Sequence, residues 1–289
     1  MSNTPHDALV RRALSRPELA GPYLASVLPA ELLAHLDLDA LEPRDAGFID
    51  PVLSGRQADF LYEVPFAGGG RALLYVLLEA QRCVDRLMAL RLFIYTARAL
   101  DRWLQRNPRG ERVPPIVPVV LYNGREAWTA PTRLRELFWL PEPGLPREHF
   151  PELSYFVDDL RRCGDEGLEQ RAVPPFGLVT LLLMRHFDDA EEEFRAFVVE
   201  VARWINRVER RDDLISCFTY ILKAGSGGVD VLDSLRPQLT PQTEEVAVSI
   251  ADALREEGRV KGREEGREEG RVKGREEGRV EGREEGRVE

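Results

Sequence analysis

Cysteine, histidine and long apolar runs are all scarce in this chain of 289 residues, which holds three cysteines and four histidines. Cys83, Cys163 and Cys217 are far apart and odd in number, which fits neither a disulfide framework nor a zinc knuckle. A reducing cytoplasm is the expected home. Cys83 has no evident activating base and reads as a small buried thiol. His6, His35, His149 and His186 show no ligand spacing, and the His6-Asp7 pair lacks the partner histidines of a metal phosphohydrolase. No uninterrupted apolar run approaches the ~20 residues that a bilayer requires, and residues 1–7 lack a basic stretch followed by an apolar core. Neither secretion nor membrane insertion is expected. Positive surplus is missing too: the formal net charge is −10, which argues against non-specific coating of nucleic acid and leaves room only for a local basic stripe.

What is present is an ordinary globular composition, 43% hydrophobic and 8% aromatic, with a changing periodicity along the chain. Residues 6–36 carry helical spacing with breaks at Pro17 and at Gly21-Pro22. A short strand is expected over 48–53, then a hairpin of 58–66 and 71–82 turned by Gly68, Gly69 and Gly70. Those glycines lack the lysine and following helix of a phosphate-cradling loop. Residues 84–105 read as an amphipathic helix with Leu87, Leu90, Ile94, Ala97 and Leu104 on one side. Residues 116–122 read as a further strand, although Pro118 counts against a well-paired central position. Strand, helix, strand in that order suggests a parallel crossover. Helices are expected over 174–187, 191–208 and 214–223, a linker over 224–240, and a short amphipathic helix over 244–254. Trp103, Trp128, Trp139 and Trp204 read as packing residues.

The chemistry converges on the hairpin. Counting back along both arms from a facing Ala67 and Arg71 brings Asp59 opposite Glu79 on one face, and period two sends Gln81 to that face as well. Two carboxylates at one sheet end suit a hard divalent cation beside a phosphodiester. Gln81 cannot act as a base at neutral pH, so it would orient water or a phosphate oxygen through its amide. On spacing alone, the two acids could form a solvated edge or pair with Arg71 and Arg82. Arg91, Tyr95, Arg98 and Arg102 lie opposite the apolar stripe of the helix, with Arg82 and Arg86 just before it. They form either a strip that tracks DNA phosphates or a solvated arginine-rich face, and Arg91 could instead be buried against the sheet.

Several stretches carry a family resemblance: His6-Asp7, Val27-Leu28-Pro29, Phe48-Ile49-Asp50, residues 58–62 and Leu78-Glu79-Ala80-Gln81. Met88, Arg91, Tyr95 and residues 118–124 continue it. In that order, over about the first 210 residues, they resemble the Rpn family of recombination-promoting nucleases, also described as YhgA-like transposases. This family looks like a branch of the PD-(D/E)XK superfamily. The resemblance implies an α/β fold with a restriction-endonuclease-like central mixed sheet flanked by helices, and magnesium-dependent cleavage of DNA, with manganese or calcium as substitutes. It makes Asp59 and Glu79 the metal carboxylates and sets Gln81 where the wider superfamily has lysine. Ala80 and Arg82 depart from the His and Ser common in the family.

The expected organisation is a nuclease core over 1–130, a mainly helical extension over 131–223, a linker over 224–243, and a helix with a charged repeat tail over 244–289. From Arg255 the chain alternates Gly-Arg-Glu-Glu with Gly-Arg-Val-Lys or Gly-Arg-Val-Glu. A glycine every fourth residue costs a helix about 1 kcal/mol each against alanine, offset in part by Glu–Arg pairs. The tail is either a solvated charged helix or a self-association segment that makes a homo-oligomer. The function expected is a metal-dependent DNA endonuclease acting in recombination or mobile-element-like processes. The alternative is a catalytically weak DNA-binding or assembly module that oligomerises through the tail.

Overall fold

A computed structural model describes residues 5–44, 59–79, 84–139, 147–224 and 230–285, and of 59, 75–79, 147, 224, 269 and 272–285 the backbone alone. The described strands are β1 (Glu42–Arg44), β2 (Asp59–Pro65), β3 (Arg71–Glu79), β4 (Ile116–Tyr122) and β5 (Phe156–Asp159), which form one sheet in sequence order. β1 and β3 run antiparallel to β2, whereas β3, β4 and β5 are mutually parallel, so the sheet is mixed.

The β2–β3 turn fixes the register. Gly69 and Gly70 both adopt φ of 90°, a region that L side chains rarely occupy. The Gly69 amide donates to the Phe66 carbonyl and the Phe66 amide donates to the Gly70 carbonyl, each at 3.0 Å. Phe66 therefore closes the loop, and Pro65 pairs with Arg71. Ala67 does not face Arg71 as expected, and Asp59 pairs with Leu77 instead of Glu79. The expected register is corrected by two residues because Gly70 pairs with Phe66, which moves the loop one position toward the first arm, to residues 67–69, and so moves every partner by two.

Helices cover both faces. Phe60, Tyr62, Val64, Ala72, Leu74, Val119 and Leu121 join the larger core with α1 (Pro5–Leu14), α2 (Pro17–Val27), α6 (Pro175–Arg185), α7 (Glu191–Ile205) and α8 (Arg211–Ala224). On the other face, Leu61, Leu73, Val120 and Tyr122 meet α4 (Met88–Arg106). Pro17 starts α2 as expected of a first-turn proline, but α2 runs on through Pro22. The single-turn α3 (Ala30–Leu33) follows it.

α4 turns a different stripe inward from the one expected. Met88, Ala89, Leu92, Tyr95 and Ala99 are buried, whereas Leu87, Leu90, Ile94 and Leu104 remain 54, 39, 41 and 43% exposed. The helix carries two apolar stripes, and the one with alanines at 89 and 99 lets its axis approach the sheet closely. β4 tolerates Pro118 because β5 pairs only from Val119 onward, which leaves β4 an edge at the proline. β5 and α5 (Leu160–Glu169) precede the first helix expected in that half of the chain, over 174–187. α5 is kinked at Gly164, whose φ is 74°.

The C-terminal half is helical. Within the stretch read as a linker, α9 (Val231–Leu235) buries Val231, Leu232 and Leu235. α10 (Pro241–Glu285) is a 45-residue helix in place of a short one. Its first turns bury Val246, Ala247 and Ala251 against α8 and α9, and beyond them its described residues are mostly exposed. Trp139 is 99% exposed, contrary to a packing role. The expected strand over 48–53, together with Gln81, Arg82 and Cys83, lies outside the described residues.

Candidate active site

The shift of register leaves the candidate carboxylate positions on one face, because a slip of two preserves the alternation whereas a slip of one would reverse it. Leu61 on β2 and Leu73 on β3 belong to the α4 side. Asp59 and Glu79 stand two and six residues further along their strands, at positions of the same parity. Leu77 is the direct partner of Asp59, so Glu79 occupies the diagonal position, about 7–8 Å away between α-carbons. Glu79 is also the register partner of Tyr122 at the end of β4, and Tyr122 in turn pairs with Asp159 at the end of β5. The carboxyl ends of three parallel strands therefore line up beside Asp59.

A buried relay braces that edge. Asn123, directly after β4, is 0% exposed and His6 is 8% exposed. The His6 Nδ1 lies 3.1 Å from the Tyr220 hydroxyl, Asn123 Nδ2 lies 2.9 Å from His6 Nε2 and donates to the Met184 carbonyl at 3.3 Å, and the Tyr220 hydroxyl donates to the Leu183 carbonyl at 3.3 Å. One proton arrangement satisfies every bond: a neutral His6 protonated on Nδ1, donating to Tyr220 and accepting from Asn123. Burial lowers the His6 pKa from 6.5 to about 4, which keeps this tautomer at neutral pH. The Asn123 Oδ1 has no hydrogen-bond partner among the described residues. The sequence shows His6 and Asn123 only as members of a resemblance, and a contact across 117 positions has no local signal.

The arginines of α4 divide between structural and exposed roles. Asp85, just before the helix, accepts from the Leu87 amide and binds Arg91 Nη1, both at 2.8 Å, while the Arg91 guanidinium lies 5.8 Å from the centre of the Tyr95 ring. Arg91 and Tyr95 thus belong to the sheet side of the helix. Arg86 and Arg98 are exposed and Arg102 is half-buried. Arg102 also borders a groove with Arg44, Trp103 and Arg106, residues outside the expected strip.

No described helix is long and apolar enough to cross a membrane. No solved structure matches the chain. The family described as "Putative transposase, YhgA-like" matches residues 4–215. Among curated proteins of Escherichia coli K12, the chain is 28% identical to recombination-promoting nuclease RpnA over 260 residues, 89% of this chain and 85% of that protein. It is 27% identical to the inactive recombination-promoting nuclease-like protein RpnE over 264 residues, 90% of this chain and 85% of that one. It is 32% identical to recombination-promoting nuclease RpnC over 187 residues, 64% of this chain and 59% of that one. With a match running from the start of α1 into α8, across every described strand of the sheet, the chain belongs to the YhgA-like transposase family.

Proposed function

We propose that this protein is a divalent-metal-dependent DNA endonuclease that hydrolyses phosphodiester bonds in recombination or mobile-element-like processes, on a restriction-endonuclease-like core. The observation that carries the reading is the diagonal, same-face placement of Asp59 and Glu79 at the carboxyl edge of β3. Two hard carboxylates from neighbouring strands match the ligand preference of magnesium, with manganese or calcium as substitutes. When bound, the cation supplies Lewis-acid polarisation of the phosphodiester and a lowered pKa for attacking water. Asp59 and Glu79 would hold it. Gln81, two residues past Glu79, orients the attacking water or a phosphate oxygen through its amide. The His6–Asn123 relay keeps the end of β4 rigid beside Glu79, so that the carboxylates are presented without local rearrangement.

The test is nicking of supercoiled plasmid with magnesium or chelator, comparing the wild type with Asp59→Ala and Glu79→Gln. Magnesium-dependent cleavage that falls at least 100-fold in both folded variants supports the assignment. Cleavage that survives in both, or ignores chelator, overturns it. The inactive relative at 27% identity favours one second reading: a catalytically weak DNA-binding or assembly module, which would shift DNA without cutting it.

A further inference from the structure

At the end of α4 remote from Glu79, a groove of about 340 Å³ opens between the helix and the edge of the sheet. Leu61 and Leu73 form its floor, and Arg44, Arg102, Trp103 and Arg106 form its walls. The α4 members fall at 102, 103 and 106, one face of the helix. Glu63 is the one carboxylate in the lining, and both Arg44, at 2.8 Å, and Arg71 already bind it. Three guanidiniums, those of Arg44, Arg102 and Arg106, thus border the groove with one carboxylate, although Arg44 also binds Glu42 at 2.7 Å, in a chain whose net charge is −10. The indole of Trp103 packs against Gly110, and the Trp103 backbone is tied to Asn107. A β-carbon added at Gly110 would come 2.8 Å from Trp103 Cη2, and Asn107 Nδ2 donates to the Trp103 carbonyl at 2.9 Å.

The groove lies on the α4 face of the sheet, the face that carries Asp59 and Glu79 by alternation. Leu73 precedes Glu79 by six residues on β3, a separation of about 20 Å at ~3.3 Å per residue. That span corresponds to about six nucleotides of a strand at ~3.4 Å each. α4 covers the face between these ends, so a polymer engaged in the groove would reach the Glu79 end by running alongside the helix, a span that a small anion does not bridge.

We propose that this groove binds the sugar-phosphate backbone of DNA, with Arg44, Arg102 and Arg106 contacting phosphates and Trp103 flanking the strand. The proposal rests on the DNA-nuclease reading and adds to it a tracking site that is separate from the cleavage centre. Guanidinium forks suit phosphate oxygens, and an indole wall suits a sugar or an unstacked base.

The experiment measures anisotropy of a labelled 24-base-pair duplex with the full chain in chelator, titrated with salt. The probes are the Arg102→Gln/Arg106→Gln pair, the Lys pair at the same positions, and Arg195→Gln on α7 as a control. Losing two phosphate contacts lowers the slope of log affinity against log salt by about 1.8, and weakens binding by up to about 60-fold near 0.1 M. The Lys pair restores most of the slope, and the control leaves it unchanged. Should the Gln pair melt early, Arg44→Gln on the edge strand reads the same effect, with a slope change of about 0.9. A folded Gln pair with wild-type slope and affinity overturns the groove. Plasmid cleavage distinguishes this from failure of the nuclease reading. If the wild type cleaves and the Gln pair matches it in kcat and KM, the groove falls and the nuclease stands. Binding lost in the Gln pair with no metal-dependent cleavage by the wild type leaves the groove and removes the nuclease. A wild type that binds no DNA removes both.

Discussion

Acidification should destabilise this protein through His6 before its carboxylates titrate, and His6→Gln should remove that part of the pH dependence. In the folded state, burial lowers the imidazole pKa from 6.5 to about 4. Above pH 6.5 the ring is neutral in both folded and unfolded chains, so it contributes no pH dependence. Between pH 6.5 and 4 the unfolded chain takes up a proton that the folded chain refuses, so stability falls with pH. At ~1.36 kcal/mol per pKa unit, the full loss is about 3 kcal/mol by pH 4, of which about 2 kcal/mol is lost by pH 5. Below pH 4 the folded ring also protonates, which removes the acceptor for Asn123 Nδ2. Gln at this position can still donate to Tyr220 and accept from Asn123 but does not titrate. The assay is urea denaturation of both proteins at pH 7, 6, 5 and 4, with the difference in stability taken at each pH. Subtraction cancels other titrating groups, including Glu63, whose pKa is lowered: burial opposes that shift, and the bonds from Arg44 and Arg71 outweigh it. The gap between the proteins should narrow or invert by about 3 kcal/mol across the window. A gap constant with pH, or an imidazole that titrates near 6.5 by NMR, refutes the reasoning.

Four further outcomes are expected. In a background freed of native cysteines, Asp59→Cys with Leu77→Cys should oxidise to a disulfide, whereas Asp59→Cys with Glu79→Cys should not, because the diagonal spacing exceeds the reach of the bond; mass spectrometry decides, and the reverse pattern would restore the register expected from the sequence. Asp213→Ala should cost about 2–3 kcal/mol, read as a fall in thermal midpoint, because its 2%-exposed carboxylate accepts from Arg12 at 2.8 Å and from Arg16 at 2.7 Å, tying α1 and the start of α2 to α8. Cys217 is 0% exposed, and burial pushes its thiol pKa up, so it should resist alkylation at pH 8 until the protein unfolds. Alanine at Gly258, Gly262, Gly266 and Gly270, none of which has an atom within 4 Å of an added β-carbon, should stabilise α10 by about 1 kcal/mol each; circular dichroism at 222 nm should rise accordingly.

Strand and helix identity was legible wherever one period dominated. The hairpin arms, 116–122 and the helices near 174–223 all announced themselves by alternation or helical spacing. Glycine decided what alternation could not: two left-handed residues at 69 and 70 set the register two positions from the symmetric count. α4 misled because both of its stripes are apolar, and the sheet selects the one with small residues. β5 is four residues long and ends in Asp158 and Asp159, each engaged elsewhere: Asp158 by Arg171 at 2.7 Å, and Asp159 by the Trp128 amide at 3.0 Å. Its strand character exists only through its pairing with β4. For the candidate site, the carboxylate positions could be found in sequence because both belong to one hairpin. The Asn123–His6 brace could not, since it joins residues 117 apart.

α10 places a four-residue repeat on a helix of 3.6 residues per turn, and the mismatch has a geometric cost. Each repeat advances about 6 Å along the axis and rotates about 40° beyond a full turn. The glycines therefore trace a spiral whose pitch is about 54 Å, several times tighter than the ~140–210 Å of two-stranded coiled coils. A straight partner helix can follow two or three of them before the spiral turns away. The repeat thus works as a vernier: each unit gained or lost turns whatever lies beyond by a fixed small angle and leaves the core untouched.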